Sequence, residues 1–456
     1  MQTFLIIWIG QVVSLFGSKL TEFALGFWIL EQTYQETGTI SQFALTILLI
    51  YLPKVIISPI AGVLIDRWNR RYAMILSDSV SGIITLVVML LVFTGKLQVW
   101  HIYVAVTINS AFGAFQLPAY LAAIAQLVPK ENFSRANGMV QASSGAAKIA
   151  APFIAGLLMK VFGIEGVLFI DITTFVVALI TLLAVKFPNH KRRNHKQTKI
   201  IEQLVNETLS AWNYITARAS LLKLLSFIAI SYFTTGMLEV VLWPLLYEPD
   251  STTELGSVLS IGGCGMLLGS ILMTVWNGPK YLVKTIIVFV GIQGIIVLLS
   301  GLKISILAMG IGIFCYLFSL PIIVSCNQTI WQRKIPPRLQ GRVFALQQTV
   351  ERSLAICAYL LAGPLVDRVL NPLMSEDGFL AHSIGKIIGT GLGQGIALLL
   401  VLLGLVNLVA AALAWQQPRL QKLEKELPDL GKSQFKFEQF DLTEHHNSEY
   451  HLHKSN

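Results

Sequence analysis

The side chains with the strongest claim to chemistry in this sequence are charges set inside long apolar runs. In FLIIWIGQVVSLFGSKLTEFALGFWIL, residues 4–30, Gln11, Ser14, Ser18 and Glu22 recur at helical spacing, with Lys19 three residues before Glu22. That spacing lays a polar stripe along one helix face. Hydrocarbon offers such a stripe no hydrogen bonds, so it must face a water-filled cavity or another helix. An ionisable group in that setting is costly and is a functional candidate by default. Glu22 is the first choice for a carboxyl that takes up and releases a proton; a fixed Lys19–Glu22 pair locking the helix is the structural alternative.

Other runs carry comparable stripes. Ser231, Thr235 and Glu239 fall at i, i+4 and i+8; Asn109, Gly113, Gln116 and Tyr120 share a face, as do Gln141, Ser144 and Lys148. A further run holds Gln347, Gln348, Glu351 and Arg352. Lys148 and Glu351 can pair with each other or with Glu22 or Glu239, and the sequence leaves that choice open. The proton-handling set is therefore Lys19, Glu22, Lys148, Glu239 and Glu351. A binding cavity would draw on Gln11, Ser18, Asn109, Gln116, Tyr120, Gln141, Thr235 and Gln348, with Trp28, Phe115, Tyr232 and Trp243 as aromatic surfaces suited to amphipathic ligands. Asp78 and Asp171 lie within a few turns of expected helix ends, where hydration accounts for them.

The elements that must hold these groups follow from composition. With 456 residues, 54% hydrophobic and 13% charged, and a mean hydropathy of +0.66, the chain is too apolar for a soluble protein of its size. A spanning helix needs ~20 apolar residues. Such runs occur near 4–30, 39–64, 72–94, 99–127, 137–161, 165–187, 220–247, 255–276, 282–301, 304–331, 342–366 and 388–415. The expected fold is all-α, with about twelve transmembrane helices in two six-helix halves. Spans 1, 4, 5, 7, 10 and 11 are expected around a cavity, and 3, 6, 9 and 12 toward lipid. The opening MQTFLIIWIGQVVSLFG lacks a basic n-region and a clear cleavage site, so it is read as a retained first span. The net charge of +9 does not indicate nucleic acid, because the basic residues are dispersed among short loops. Cys264, Cys315, Cys326 and Cys357 lie in apolar runs without CxxC spacing and imply no disulfide framework. The HHNSEYHLH run, His445 to His453, has no fixed geometry for a metal and is read as part of a polar tail.

Loop charges alternate. Arg67, Arg70, Arg71, Lys130, Arg135, the basic cluster Lys191 to Lys199, Arg333, Lys334, Arg338 and Arg342 fall in one set of loops, while the other set holds few cations and Glu31, Glu36, Glu248, Asp250, Glu254, Glu376 and Asp377. The positive-inside bias makes the first set cytoplasmic, with both termini. The division is then a first bundle over 1–187, a basic and amphipathic cytoplasmic linker over 188–219, a second bundle over 220–417 and a polar cytoplasmic tail over 418–456.

The halves repeat. VPKENFSRANGM (Val128 to Met139) aligns with IPPRLQGRVFAL (Ile335 to Leu346), keeping Pro129/Pro336 and Arg135/Arg342; the same register pairs Gln141 with Gln348 and Gly156 with Gly363. Between the second and third runs, GVLIDRWNRR (Gly62 to Arg71) crowds Asp66, Arg67, Arg70 and Arg71 into one short loop. With its small first residue and Leu64, it resembles the signature loop between helices 2 and 3 of the major facilitator superfamily, although Asn69 stands where that family usually has glycine. AKIAAPFIAG (Ala147 to Gly156) resembles the antiporter motif of drug-exporting facilitators, keeping Pro152 and Gly156 with Ala151 in a glycine position. The opening segment, VPKENFSRANG and the absence of a helix 4 arginine look most like the bacterial branch that includes macrolide efflux proteins and the enterobactin exporter.

This resemblance implies the two-half major facilitator fold and a cytoplasmic gate at Gly62, Asp66, Arg67, Arg70 and Arg71, with Arg135 and Arg342 in the paired loops. It implies proton-driven export of amphipathic small molecules such as drugs or siderophore-like metabolites, by a monomer in the inner membrane that needs no cofactor beyond the proton gradient. The missing helix 4 arginine departs from the standard proton relay of such exporters. A lysophospholipid or lipid flippase on the same scaffold is the nearest alternative, and a non-transporting receptor or scaffold a more distant one. Without HExxH, GxSxG or an intramembrane His pair, no enzyme chemistry is expected.

Overall fold

The computed structural model describes residues 2–37, 39–67, 70–128, 133–185, 209, 211–247, 252–275, 279–302, 306–335, 337–391, 393–421 and 423–426. Its long helices are α1 (Gln2–Thr37), α2 (Ser41–Arg67), α3 (Arg70–Phe93), α4 (Val99–Leu127) and α5 (Phe133–Ala184) in the first half. The second half holds α6 (Ala219–Leu246), α7 (Thr252–Val275), α8 (Leu282–Leu302), α9 (Ile306–Lys334), α10 (Pro337–Leu365) and α11 (Gln394–Gln416).

At 52 residues, α5 is far too long for one crossing of a ~30 Å hydrocarbon core at ~1.5 Å per residue. It bends at Gly163, where φ is 68° and ψ is −173°, a conformation that suits a residue without Cβ. Its second arm runs back along α1, which brings Thr181 beside Gly10 and Asp171 beside Gly17. Among the described residues ten helices are long and apolar enough to cross a membrane, and Ser41–Ile57 is a shorter apolar helix. With the two arms of α5 counted separately, these correspond to the twelve expected spans. So α5 holds spans 5 and 6, and α6 to α11 are spans 7 to 12.

Side chains on the outer faces are apolar, as lipid requires: Ile83, Leu90 and Phe93 on α3, Val176 and Ile180 on α5, Ile295 and Leu299 on α8, and Val409 and Leu413 on α11 are all exposed. The buried core is arranged unevenly along the bundle. At the end carrying Thr37, Ser41 and Leu246, here the far end, one cluster joins both halves, with Phe27, Phe43 and Leu168 packed in common with Val240, Tyr359 and Leu370. At the near end, where α1 begins, each half has its own cluster: Phe4, Ile7, Met74 and Leu182 in one, Leu224, Ile286, Trp331 and Val343 in the other. The halves are thus packed together at the far end and hold separate cores at the near end.

Two segments expected to be linker and tail are partly folded onto the second half. Residues 211–216 are helical, and Ala211 and Ile215 are buried in its near-end core. Leu420 and Leu423, in the short helices Pro418–Gln421 and Leu423–Glu426, join the same core. The Glu424 carboxylate accepts the Val283 N–H at 2.8 Å, which caps the start of α8. Of the linker expected over 188–219, residues 188–208 and 210 lie outside the described residues, as does the His-containing tail.

Candidate functional site

Between the halves lies a cavity of about 470 Å³. The first half contributes Lys19, Glu22 and Phe23 from α1, Tyr51 from α2, and Ala147, Lys148 and Pro152 from α5. From the second half, α6 supplies Thr235, Glu239 and Trp243, while α7 and α9 supply mainly aliphatic residues. The cavity then continues to Ile296, Val297 and Ser300 of α8 and Leu400 of α11. This corrects the expected lining. Among the described residues spans 4 and 11 contribute nothing to it, and spans 2, 8, 9 and 12 do. Aliphatic positions facing an apolar pocket read the same in sequence as those facing lipid.

The charged residues divide in position. Lys19 and Glu22 form an ion pair one helical turn apart at the cavity wall. Glu239 is clamped by two phenols: the Tyr51 hydroxyl of the first half donates to one carboxylate oxygen at 2.7 Å, and the Tyr359 hydroxyl of α10 to the other at 2.6 Å. Tyr51 and Tyr359 stack on each other with ring centroids 5.4 Å apart. Lys148 is exposed and lines the cavity. Glu351 lies apart from the cavity, 3% exposed, where it accepts Asn327 Nδ2 at 3.1 Å and Gln347 Nε2 at 2.9 Å. Those amides, and not Lys148, are its partners.

The polar stripe of α1 turns largely into the first half. Gln11 Nε2 donates to Asp78 at 2.8 Å, and Gln116 Nε2 to the other Asp78 oxygen at 2.6 Å. Asp171 accepts Thr21 at 2.9 Å, Thr85 at 3.1 Å and, at 3.5 Å, Ser18. Asp78 is 3% and Asp171 5% exposed, so these are buried carboxylates held by neutral donors, not hydrated helix ends. Of the remaining cavity candidates, Thr235 reaches the cavity, its hydroxyl 2.8 Å from that of Tyr316, and Trp243 does so while packing on Phe23 and Phe43. Trp28 packs partly buried against the shared core, Tyr120 is buried in the first half's core, and Asn109 and Gln348 are exposed away from the lining. The side chain of Gln141 lies outside the described residues.

Around the cavity the far end is sealed by contacts between halves. Asp367, in the π-helical continuation Val366–Leu370 of α10, accepts the N–H groups of Ile40 and Ser41. The Thr252 hydroxyl donates to Gly156 O at 3.1 Å, and Tyr247 packs on Phe27 and Tyr34. Gly156 belongs to the antiporter-like segment. A Cβ there would stand 2.5 Å from Thr252 O, so the missing side chain lets α5 and α7 touch. Ala151 is fully buried beside that crossing, and Pro152 lines the cavity.

Of the gate residues, Arg71 is described. Its guanidinium donates to Leu182 O at 3.0 Å and Leu183 O at 2.8 Å, which places a cation on the last carbonyls of α5. Gly62 lies in α2, and the side chains of Asp66, Arg67, Arg70, Arg135 and Arg342 lie outside the described residues. No sequence pattern points to Tyr51, Tyr359 or Asp367. Tyr51 and Tyr359 are single polar groups in apolar settings, Asp367 adjoins Arg368 at the end of an apolar run, and no spacing signals any of the three.

A family model described as Major Facilitator Superfamily matches residues 7–359. The chain belongs to that superfamily. As a member it is a multi-pass membrane transporter and not an enzyme. It is 26% identical over 374 residues to macrolide efflux protein A of Streptococcus pyogenes, covering 80% of this chain and 90% of that protein. It is 24% identical over 329 residues to the multidrug efflux pump Tap of Mycolicibacterium fortuitum, covering 69% and 78%. Among solved structures, a bacterial homologue of the human lysosomal transporter Spinster, in an inward-facing and unoccupied conformation, superposes with a TM-score of 0.68 at 13% identity, over 92% of this chain and 97% of that one. A POT family transporter in complex with 5-aminolevulinic acid superposes with a TM-score of 0.65 at 12% identity, over 93% and 97%. These superpositions bear on the fold.

Proposed function

We propose that this facilitator is a proton-coupled exporter of amphipathic small molecules. The observation that carries the reading is a pair of carboxylates, Glu22 and Glu239, one from each half, at a cavity closed at the far end. The halves, 1–187 and 220–417, rock about that cavity so that it opens to one face and then the other. With both termini cytoplasmic, the near end is the cytoplasmic face and this arrangement is inward-facing. Substrate enters there. Glu22 first, and Glu239 second, takes up a proton from outside as substrate leaves and gives it up at the cytoplasmic face; Lys19 and Lys148 adjust the charge around them. The relatives named for macrolide and multidrug efflux support export over uptake. The protein works as a monomer in the bacterial inner membrane, and the gradient replaces any cofactor.

The aliphatic extension of the cavity to α8 and α11 favours a second reading, the flipping of a single-chain lipid on the same scaffold.

Inverted membrane vesicles with an imposed proton gradient test both. Uptake of a panel of fluorescent amphipaths, with a labelled lysophospholipid included, is measured before and after a protonophore. Protonophore-sensitive uptake of the small molecules that is lost in Glu22→Gln or Glu239→Gln is expected. Uptake that ignores the gradient, or that survives both substitutions together, overturns proton coupling at these residues. Movement of the lysophospholipid alone replaces the first reading with the second.

A further inference from the structure

The cavity reaches further into the second half than into the first. In the first half its lining stops at α1, α2 and the first arm of α5, and spans 3 and 6 contribute nothing among the described residues. Those two spans close on each other. A Cβ on Gly82 would stand 2.5 Å from the Phe175 ring, and Asp171 accepts Thr85. In the second half the lining continues past α6 and α9 to the inner faces of α8 and α11, where it ends on Val297, Ser300 and Leu400. Gly301 shuts the space beyond: a Cβ there would stand 2.6 Å from Ala397 O, so α8 and α11 touch.

This recess is apolar and narrow. Its hydroxyl group, on Ser300, donates back to Ile296 O at 2.9 Å. Val297 and Leu400 line the space while only 4% and 3% exposed, and Val241 lines it while fully buried. Walls that offer so little surface to water leave room for a slender chain and none for a ring. Gly312 helps to make that room, since a Cβ on it would stand 2.9 Å from Ser300 Oγ and 3.6 Å from Ile296 Cγ2. Close packing is the rule in protein interiors, and unfilled apolar space is destabilising. Such space stays dry and takes up apolar ligands. Toward the first half the lining turns polar, with the Thr235 and Tyr316 hydroxyls 2.8 Å apart and then Lys19 and Lys148 facing Glu22 and Glu239. Those four charges balance, so the polar wall selects neither sign.

We propose that the recess is a tail subsite for an amphiphile with one unbranched alkyl arm. The arm lies between α8, α9 and α11, the polar end stays at the charged wall, and Gly312 and Ser300 set the girth that is admitted. This rests on the transport reading above and deepens it by naming the shape of the substrate.

The test uses the full chain in nanodiscs, with Cys264, Cys315, Cys326 and Cys357 replaced and one reporter cysteine introduced at a time. Ser300→Cys reports on the recess and Leu238→Cys on the main cavity. Labelling by N-ethylmaleimide is followed with the phosphocholine esters of n-decanol and of adamantanol, which share a head group and a carbon count and differ in girth. At about ten times its Kd the decyl ester is expected to slow labelling at both positions roughly tenfold. The adamantyl ester should protect Leu238→Cys alone. Gly312→Leu should abolish protection of Ser300→Cys by the decyl ester and leave that of Leu238→Cys by the adamantyl ester, which also shows that the variant is folded. Protection of Ser300→Cys by both esters alike overturns the proposal. So does a decyl ester that leaves Ser300→Cys unprotected, or a Ser300→Cys that never reacts, in the chain that keeps Gly312. Nanodiscs carrying lysophosphatidylethanolamine separate two sources of the arm: protection of Ser300→Cys with no ester added marks a membrane lipid, and protection by the ester alone marks a soluble compound. No proton gradient is applied. Loss of gradient-driven transport with Ser300→Cys still protected strikes only the proton reading, and an unprotected Ser300→Cys with transport intact strikes only this one.

Discussion

Asp367 and Ser41 tie the two halves together at the far end: the carboxylate accepts the Ser41 backbone N–H at 2.9 Å together with its hydroxyl, and the Ile40 N–H at 2.9 Å as well. A carboxylate from the second half thus caps the first turn of α2 in the first half, where orphan N–H groups and the helix dipole both favour negative charge. A cap of this kind contributes about 1–2 kcal/mol to the closed far end. Asp367→Ala should therefore raise the fraction of molecules open at that end by roughly five- to thirtyfold. Spin labels at Lys96 and Phe379, both exposed beyond far-end helix termini, report the separation once Cys264, Cys315, Cys326 and Cys357 have been replaced. A distance distribution that does not move on Asp367→Ala would show that the cap is not a latch.

The Glu239 clamp separates two roles within one hydrogen-bonded group. Tyr51 reaches Glu239 from the other half, whereas Tyr359 reaches it from the same half. Hydrogen bonds to a charged group contribute about 1.5–3 kcal/mol each. Tyr51→Phe removes one that exists only while the halves are together, so it should widen the Lys96–Phe379 distribution. Tyr359→Phe should leave that distribution in place while lowering the thermal midpoint. If the two substitutions move the distribution equally, the clamp does not bridge the halves as the geometry implies.

Several of these relationships are legible in the residues, and others are not, for physical reasons. Lys19 and Glu22 lie three apart in an apolar run, and helical geometry brings them together whatever surrounds them. The limits of the fifth and sixth apolar runs place the turn between them within residues 161–165, and Gly163 supplies it. Periodicity identifies a helix face but not its direction. Gln11, Ser18 and Gln116 read as polar faces, yet those faces meet Asp78 and Asp171 inside the first half. Tyr51 gives no periodic signal, and its partner Glu239 is 188 residues away. Such a contact follows from the packing of whole halves, which no local pattern encodes.

The two halves also provide an internal comparison for Asp171. It accepts Thr21 of span 1 and Thr85 of span 3, and in the second half Asn407 of span 12 accepts Thr234 of span 7 at 3.1 Å. The corresponding knot is thus tied with a neutral amide, which implies that the fold can do without the carboxylate charge. Asp171→Asn should move the thermal midpoint in detergent by no more than ~3 °C. Asp171→Leu strands the buried Thr21 hydroxyl at about 1–3 kcal/mol, while Thr85 keeps its bond to Ser81 O, and should lower it by several degrees more. If the amide destabilises as much as leucine, the charge itself holds the knot and the comparison between halves fails.

Gly156 and Gly363, paired by the internal repeat, occupy corresponding crossings of one half on the other. A Cβ on Gly156 would meet Thr252 O at 2.5 Å, and one on Gly363 would meet the Ser41 Cα at 2.6 Å. In both cases the obstacle is backbone at a helix start and cannot swing aside as a flexible side chain would. Gly156→Val and Gly363→Val should each hold the far end apart, broaden the Lys96–Phe379 distances and reduce transport by roughly tenfold or more, since ~1.4 kcal/mol of hindrance to closure suffices for that. Gly145 lies on the same helix as Gly156, and a Cβ added to it would meet nothing within 4 Å, so Gly145→Ala should leave distances and transport unchanged. It should also raise stability by up to ~1 kcal/mol through helix propensity. Equal effects from Gly145→Ala and Gly156→Val would mean that α5 responds to any added side chain, and that the α5–α7 crossing has no special part in closing the far end.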